Sequence, residues 1–260
     1  LEEHKEHVRT VLELLKKNGL KCKMSKCDFF TQSTEFLGHV VTSEGIRMQK
    51  SKIEAILNWP DLENVTDLRG YLGLAAYYKK LIRGFAAMAA PLTDLLKEKN
   101  PWQWGEREKS AFEVIKKAVS EDPVVATPEP YSPYILCTDA SDYAVSGVLS
   151  QIQDGVEKVI AYESKKLPES ERKRPAHDQE LYAVVHCVKT WKHLLLNGQT
   201  HMFLTDNSAV SHFMSQPQLH SPKQARWYEL LSQVHFNIAH RPGKTNVVAD
   251  ALSRRPDLRL

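Results

Sequence analysis

Four carboxylates, Asp139, Glu180, Asp206 and Asp250, stand where an acid is costly unless something compensates it. Asp139 closes the apolar run from Tyr134 to Thr138 in CTDASDYAVSGVLSQ, and Asp206 closes the run His201 to Thr205 in the same way. A charge at the mouth of a sheet needs a partner. Glu180 opens a helical pattern whose apolar face is Leu181, Val184, Val185, Val188 and Trp191, which puts it on a first turn beside the sheet. Asp250 falls in the first turn or two of a last helix that opens near Asn246. Four acids converging from two strand ends and two helix starts would repel one another at close range unless cations sat among them. Hard, oxygen-seeking Mg²⁺ is the natural cation. Two such ions about 3.5–4 Å apart orient and activate a water and neutralise the leaving oxygen of a phosphodiester, which is nuclease chemistry. The competing reading gives each acid only a local role, with capping or turn formation for Asp206 and Glu180, an Asx turn for Asp139 and surface charge for Asp250. Any one acid fits such a role; the four in one compatible topology favour the metal site.

The elements that must position these acids follow from periodicity. Residues 134–139, 145–151 and 158–164 alternate as three successive strands, followed by a helix over about 178–195, a strand over 200–206, a helical stretch, a strand over 235–240 and the last helix. That order predicts an α/β sheet with helices packed on it. Upstream the grammar is helical. Val8, Val11, Leu12 and Leu15 mark a helix over 2–17 that ends at Asn18-Gly19. A hairpin is expected around Thr42-Ser43-Glu44, with residues 36–41 as one arm. Residues 52–57 read as a helix broken at Trp59-Pro60, and 67–82 as one long helix capped near Asn64 or Thr66. Pro91 opens a short helix, Glu106 to Val119 form another, and a proline-bearing link, 122–133, marks the main boundary.

The chain has 260 residues, a formal charge of only +3, and local basic clusters at Lys165-Lys166 and Arg172-Lys173-Arg174. Its length allows more than one domain. No apolar run reaches membrane-spanning length and LEEHKEHVRT is unlike a signal peptide, so an intracellular protein without membrane association is expected. The four cysteines, Cys22, Cys27, Cys137 and Cys187, are scattered without a CxxC and read as free thiols. His177, His186 and His193 recur along one helix, but spacings of nine and seven do not build a tetrahedral metal site.

TDASDYAVSGVLSQ, AHDQELYAVV, FLTDN and HRPGKTNVVADALSR, in that order, closely resemble the RNase H domain of gypsy-type LTR retrotransposon Pol polyproteins. Upstream, LEEHKEHVRTVLELLKKNGLKCKMSKCDFF, EFLGHVVTSEGI, ILNWPDLENVTDLRGYLGLAAYYKKLI and APLTDLL resemble the end of a reverse transcriptase palm, a primer-grip hairpin and a thumb; WQWGEREKSAFEVIKKAV resembles a connector. The resemblance implies a palm end with hairpin over 1–50, thumb over 51–98, connector over 99–130 and an RNase H-like domain over 131–260, a five-stranded mixed sheet with flanking helices. It also implies that Asp139, Glu180, Asp206 and Asp250 match the family's acidic quartet for two Mg²⁺ ions, with Mn²⁺ able to substitute. Asp139 would bridge both ions, Glu180 and Asp206 would serve the leaving-group side, and Asp250 the nucleophile side with His240. His240 matches by spacing a mobile histidine that helps product leave; a strand-end histidine at a solvent edge is the alternative. The YxDD palm motif, which in this family precedes LEEH, is absent from the residues given, so DNA synthesis by these residues alone is not expected.

The substrate so implied is an RNA/DNA hybrid, whose wide minor groove exposes ribose hydroxyls on one strand only. Lys165, Lys166, Arg172 and Arg174 are the phosphate candidates, with His177 and Asn207 as sugar contacts near the acids. Arg69, Lys79, Lys80 and Arg83 on the thumb-like helix would hold the duplex farther along, while Tyr71, Tyr77 and Tyr78 read as packing residues. Phe29, Phe36 and Val40 would form an exposed apolar patch that invites self-association or the rest of Pol. The protein would work in the cytoplasm inside a virus-like particle, in the nucleus, or in both. Two other readings stay open on the sequence: a non-catalytic module that binds nucleic acid or protein, and a polymerase part completed by another chain.

Overall fold

The structure is a computed structural model that describes residues 2–97, 100–205, 213–215 and 221–240. Helix α1 (Glu2–Lys17) comes first, and it buries none of its residues: Val11, Leu12 and Leu14 are exposed. A short three-stranded sheet follows, β1 (Ser33–Phe36), β2 (His39–Thr42) and β3 (Gly45–Met48), antiparallel throughout. The expected strand over 36–41 is therefore two strands folded back at Leu37-Gly38. Both turn residues have positive φ, 48° and 76°, the conformation that a tight two-residue hairpin requires. Gly38 is held there by Tyr78, whose hydroxyl donates to its carbonyl at 2.9 Å.

Four helices and a fifth after them build the first core: α2 (Lys50–Leu57), α3 (Val65–Tyr77), α4 (Phe85–Met88), α5 (Ala90–Asp94) and α6 (Glu106–Ser120). Asn64 caps α3, accepting from the backbone N–H groups of Thr66 and Asp67. That helix stops at Tyr77 rather than running to residue 82. Tyr78, Leu81 and Ile82 are each buried, carried into the core by a turn-rich path that ends at Gly84 (φ 66°). The cluster runs from Met48 to Val125 and centres on Ile56, Leu68, Tyr71, Leu92 and Ile115. Tyr71 and Tyr78 are core residues as expected; Tyr77 is exposed and donates to Leu37 O at 2.7 Å. Phe36 is 64% exposed, whereas Phe29 and Val40 are half-buried.

The second unit contains β4 (Ile135–Ala140), β5 (Ala144–Gln153), β6 (Val156–Lys166), α7 (Glu169–Arg172), α8 (Ala176–Leu195), β7 (His201–Thr205), α9 (Pro222–Leu231) and β8 (Phe236–His240). Its sheet has five strands in the order β6-β5-β4-β7-β8. β4, β5 and β6 are antiparallel neighbours, while β7 and β8 join in parallel. This is the five-stranded mixed sheet that the resemblance implied. The long helix α8 lies on it, burying Leu181, Val184, Val185, Cys187, Val188, Trp191 and Leu195 against Leu136, Leu149 and Phe203.

The two units share a boundary along β6. Val159 and Tyr162 of that strand pack on the first core. The outer edge of β6 is occupied as well: Tyr162 N donates to Lys80 O at 2.9 Å, and Ala126 N donates to Val159 O at 2.7 Å. An edge strand with its backbone groups satisfied by its own chain is no longer a template for aggregation. Gln151 and Gln153 fasten the link between the units to β5, donating to the carbonyls of Glu129, Ser132 and Thr127.

Close approach of α8 depends on Gly147 in β5. A Cβ there would meet Cys187 Sγ at 2.4 Å and the Trp191 ring at 3.3 Å. Gly147→Ala is therefore expected to destabilise by about 1–3 kcal/mol through overpacking. Thermal unfolding checks this: the midpoint should fall by several degrees, and adding Cys187→Ala should recover most of the loss.

Candidate active site

β4 carries Asp139 as its penultimate residue, in register with Ser146 of β5 and through it with Ser164 of β6. Asp139 is half-buried. After Ala140 the chain turns within a few residues: Ser141 Oγ donates to Ala144 O at 3.0 Å and accepts from Ala144 N at 3.1 Å. β7, parallel to β4, ends at Thr205, one residue beyond the last register pair, Cys137 with Leu204. Two adjacent strands thus finish at the same edge of the sheet.

α8 begins at Ala176, two residues before the expected start, so Glu180 sits in its second turn and not its first. The reason is Pro175 with φ −55°, already suited to a helix entry, and Gln179, whose amide donates to the carbonyls of Arg172 (3.1 Å) and Arg174 (3.0 Å) and folds that approach onto the helix. Glu180 is 7% exposed, and its Oε1 accepts from Ala140 N at 3.1 Å. That peptide joins Asp139 to Ala140. The hydrogen bond therefore brings two of the four expected acids to one place, one from a strand end and one from a helix start. An early-helix position also favours a carboxylate electrostatically.

Asp206, Asn207 and Asp250 lie outside the described residues. His240 closes β8 opposite Thr205. Oxygen donors such as Asp139 and Glu180 suit a hard divalent cation, and with Asp206 and Asp250 outside the description, no group of three or more His, Cys, Asp or Glu residues forms a metal cluster among the described residues.

The basic candidates divide into two groups. Around the acids, Lys165 is exposed with its ammonium 5.9 Å from the Tyr182 ring. Arg172 donates from Nε to Asp142 O at 3.2 Å and covers the Tyr143 ring at 4.7 Å, in the turn that follows Asp139. Arg174 pairs with Glu171 (3.3 Å) and Asp178 (3.4 Å), and the exposed His177 lies 3.8 Å from Asp178. Arg69 and Lys80 are exposed on the first unit. The others are occupied by the contact between units. Lys166 pairs with Asp94, Lys79 pairs with Glu163 at 3.0 Å, and Arg83 lies half-buried beside Tyr162 with Nε and Nη2 closed off from solvent. Burial pushes the Arg83 pKa down, the opposite of what a phosphate ligand experiences. Arg83 thus lies at the contact between the units, with two of its three guanidinium nitrogens closed off.

Sequence reasoning missed the supporting aromatic and acidic groups. Trp227 of α9 packs 6.1 Å from Tyr182 and under Lys223 at 4.4 Å, and Lys223 bonds both oxygens of buried Glu171 at 2.6 and 2.7 Å. The i,i+4 spacing of Lys223 and Trp227 was a legible signal. The pairing of Glu171 and Glu163 was not, because both depend on residues distant in the chain. Glu163 is 6% exposed, yet its pKa is lowered: burial raises it, and the hydrogen bonds and charges of His186 and Lys79 more than reverse that. Asp94 behaves alike, with burial outweighed by Lys166 and Lys97.

With this geometry in place, comparison with known proteins shows what the chain is similar to. Residues 104–202 match an RNase H-like domain found in reverse transcriptase. The chain is 35% identical over 257 residues to the retrovirus-related Pol polyprotein from transposon 297 of Drosophila melanogaster, and 32% identical over 258 residues to the transposon Tf2-3 polyprotein of Schizosaccharomyces pombe. Nearly the whole chain is thus similar to a stretch of retrotransposon Pol polyproteins. Each alignment covers 98% of this chain but only 24% and 19% of the respective polyprotein. The chain also shares its fold with a foamy viral protease-reverse transcriptase solved in complex with RNA/DNA hybrid: TM-score 0.75 at 19% identity, covering 93% of this chain and 33% of that one. A second structure of the foamy viral enzyme, with double-stranded DNA, gives 0.73 over 92% of this chain and 43% of that one. The fold is RNase H-like, as the resemblance implied.

A carboxyl whose folded pKa lies below its unfolded value stabilises fully above the unfolded value and loses that contribution as pH falls through the folded one. Glu163 and Asp94 both act in this direction. Chemical unfolding of the wild-type chain should therefore lose stability as pH drops below about 4.5, the ordinary carboxylate range. In Glu163→Gln the midpoint should be lower at neutral pH and its decline toward acid shallower; parallel curves would remove Glu163 from this role.

Proposed function

We propose that this segment is the RNase H part of a retrotransposon reverse transcriptase, a Mg²⁺-dependent endonuclease that hydrolyses the RNA strand of RNA/DNA hybrids. The observation that carries the reading is Glu180 hydrogen-bonded to the peptide that follows Asp139, in a chain whose residues 104–202 match an RNase H-like domain found in reverse transcriptase. Asp139, Glu180, Asp206 and Asp250 would hold the metal, with Mn²⁺ a workable replacement. When bound, the metal supplies charge neutralisation and an activated water for phosphodiester cleavage. The chain's own residues do the positioning. β4 offers Asp139 at the sheet edge, and α8 holds Glu180 against the same edge through its bond from Ala140 N. His240, at the end of β8, is assigned to product departure.

Binding of the hybrid falls to exposed cations that flank this edge. Lys165 and Arg172 are the primary phosphate contacts, Arg174 and His177 stand at the approach to Glu180, Asn207, which follows Asp206 in the sequence, is kept as a sugar contact, and Arg69 and Lys80 hold the duplex farther along. Lys79 and Lys166 contribute from within the contact between units. The segment boundaries 1–50, 51–98, 99–130 and 131–260 are assigned to palm end, thumb, connector and RNase H domain. Its partners are the hybrid and the rest of Pol, with exposed Phe36 and its surroundings as the surface through which copies would self-associate. Work inside a cytoplasmic virus-like particle or the nucleus fits this role, and no helix among the described residues is long and apolar enough to cross a membrane.

The test is cleavage of a labelled RNA strand annealed to DNA. RNA should be cut with Mg²⁺ and not with EDTA, and Asp139→Asn or Glu180→Gln should lower the rate by more than about a hundredfold while leaving the fold intact. Hybrid binding without cutting would leave a binding module in place of the enzyme. For affinity, Lys165→Ala and Arg172→Ala should each reduce the slope of log K against log salt by about 1, in a titration of hybrid at several ionic strengths.

A further inference from the structure

The edge strand β6 lies two strands from Asp139, yet its Glu163 is among the most confined acids of the chain. One oxygen of its carboxylate, Oε1, has two partners from different units. Lys79 Nζ of the first unit stands 3.0 Å away, and Nε2 of His186 on α8 stands 3.1 Å away. His186 follows Glu180 on the same helix by six residues. A single buried oxygen thus joins the first unit, the sheet and the helix that carries Glu180.

The residues on either side are held in the same way. Tyr162 N donates to Lys80 O, Ala86 N donates to Ser164 Oγ at 2.9 Å, and Lys166 pairs with Asp94. Ser164 is in register with Ser146 and, through it, with Asp139. Glu163 is in register with Gly147, the residue over which Cys187 sits. Cys187 is the neighbour of His186. The contact at Gly147 therefore sets how near α8 comes to the sheet, and the His186–Glu163 bond a residue away sets its rotation and height.

We infer that Glu163 is a positioning residue of the nuclease site: by holding His186 and Lys79 on one carboxylate oxygen, it fixes α8 on the sheet and so fixes Glu180 against Asp139. The inference rests on the proposed nuclease reading. An exposed ion pair would contribute little, but a buried carboxylate that loses a donor suffers the full desolvation penalty, so the arrangement resists small rotations of α8. Lys79 adds the second half of the device, which is that docking of residues 79–94 on β6 supports the same oxygen.

The experiment compares wild type with Glu163→Gln, His186→Ala and His186→Gln in the whole segment, at a temperature where each is folded. Two readouts are taken: hybrid cleavage as a function of Mg²⁺ and of substrate, and amide hydrogen exchange of peptides 135–140 and 176–188. Glu163→Gln and His186→Ala should lower kcat and raise the half-saturating Mg²⁺ concentration, each by about tenfold, with KM for the hybrid unchanged. Exchange should quicken in both peptides. His186→Gln keeps an amide donor for Glu163 and should stay close to wild type in both readouts. Variants that melt earlier but keep kcat, the Mg²⁺ requirement and exchange at wild-type values would overturn the inference and leave Glu163 a stabilising residue only. If wild type cuts nothing, the nuclease reading has failed, and exchange alone decides. Faster exchange in Glu163→Gln and His186→Ala, but not His186→Gln, keeps Glu163 as the residue that positions α8. Unchanged exchange removes it.

Discussion

The close approach of α8 to the centre of the sheet is the constraint on which the candidate site depends. It requires a residue without a side chain at 147, because Cys187 occupies the space that a Cβ would fill. Only with the helix at that depth can Glu180 reach the peptide after Asp139. The apolar face of α8, from Leu181 to Leu195, supplies the driving force for this contact, and the glycine sets its limit. A carboxylate in such a buried place is tolerated because a backbone N–H meets it and the start of a helix surrounds it.

The boundary between units follows the same logic of closing off what would otherwise be left open. β6 is an edge strand, and an exposed edge is a liability. The first unit removes it by pairing with its backbone, packing on Val159 and Tyr162, and placing Lys79 and Asp94 opposite Glu163 and Lys166. Charges that read in the sequence as ligands for nucleic acid are thereby divided. Those left exposed, such as Lys165, Arg172, Arg69 and Lys80, remain accessible to phosphates, whereas Arg83 is absorbed into the contact. Aromatic rings beneath several of the flanking cations, Tyr182 under Lys165, Tyr143 under Arg172 and Trp227 under Lys223, hold those side chains near the surface.

Likeness to Pol polyproteins of fly and fission yeast, and to a foamy viral reverse transcriptase fold, agrees with motifs spread across the chain. The chain spans 24% and 19% of the length of the two polyproteins. It unites an RNase H-like sheet with a helical unit whose interface reaches the row of residues bearing Asp139.

The amino-acid sequence by itself determined most of the elements and pointed to the candidate site. Alternating runs specified β4, β5 and β6, helical spacing specified α8, Asn64 announced its cap, and acids at a strand end and near a helix start, Asp139 and Glu180, marked the place that the structure brings together. These are local signals, carried by periodicity and by residue types within a few positions. Tertiary structure decided the rest. Leu37-Gly38 became a hairpin because Tyr78, forty residues on, holds its carbonyl. The helix expected to reach residue 82 ended at Tyr77, and a turn-rich path to Gly84 carries Tyr78, Leu81 and Ile82 into the core. The partners of Glu163 lie 84 and 23 residues away, and no local pattern can announce a contact whose geometry exists only once two units have packed.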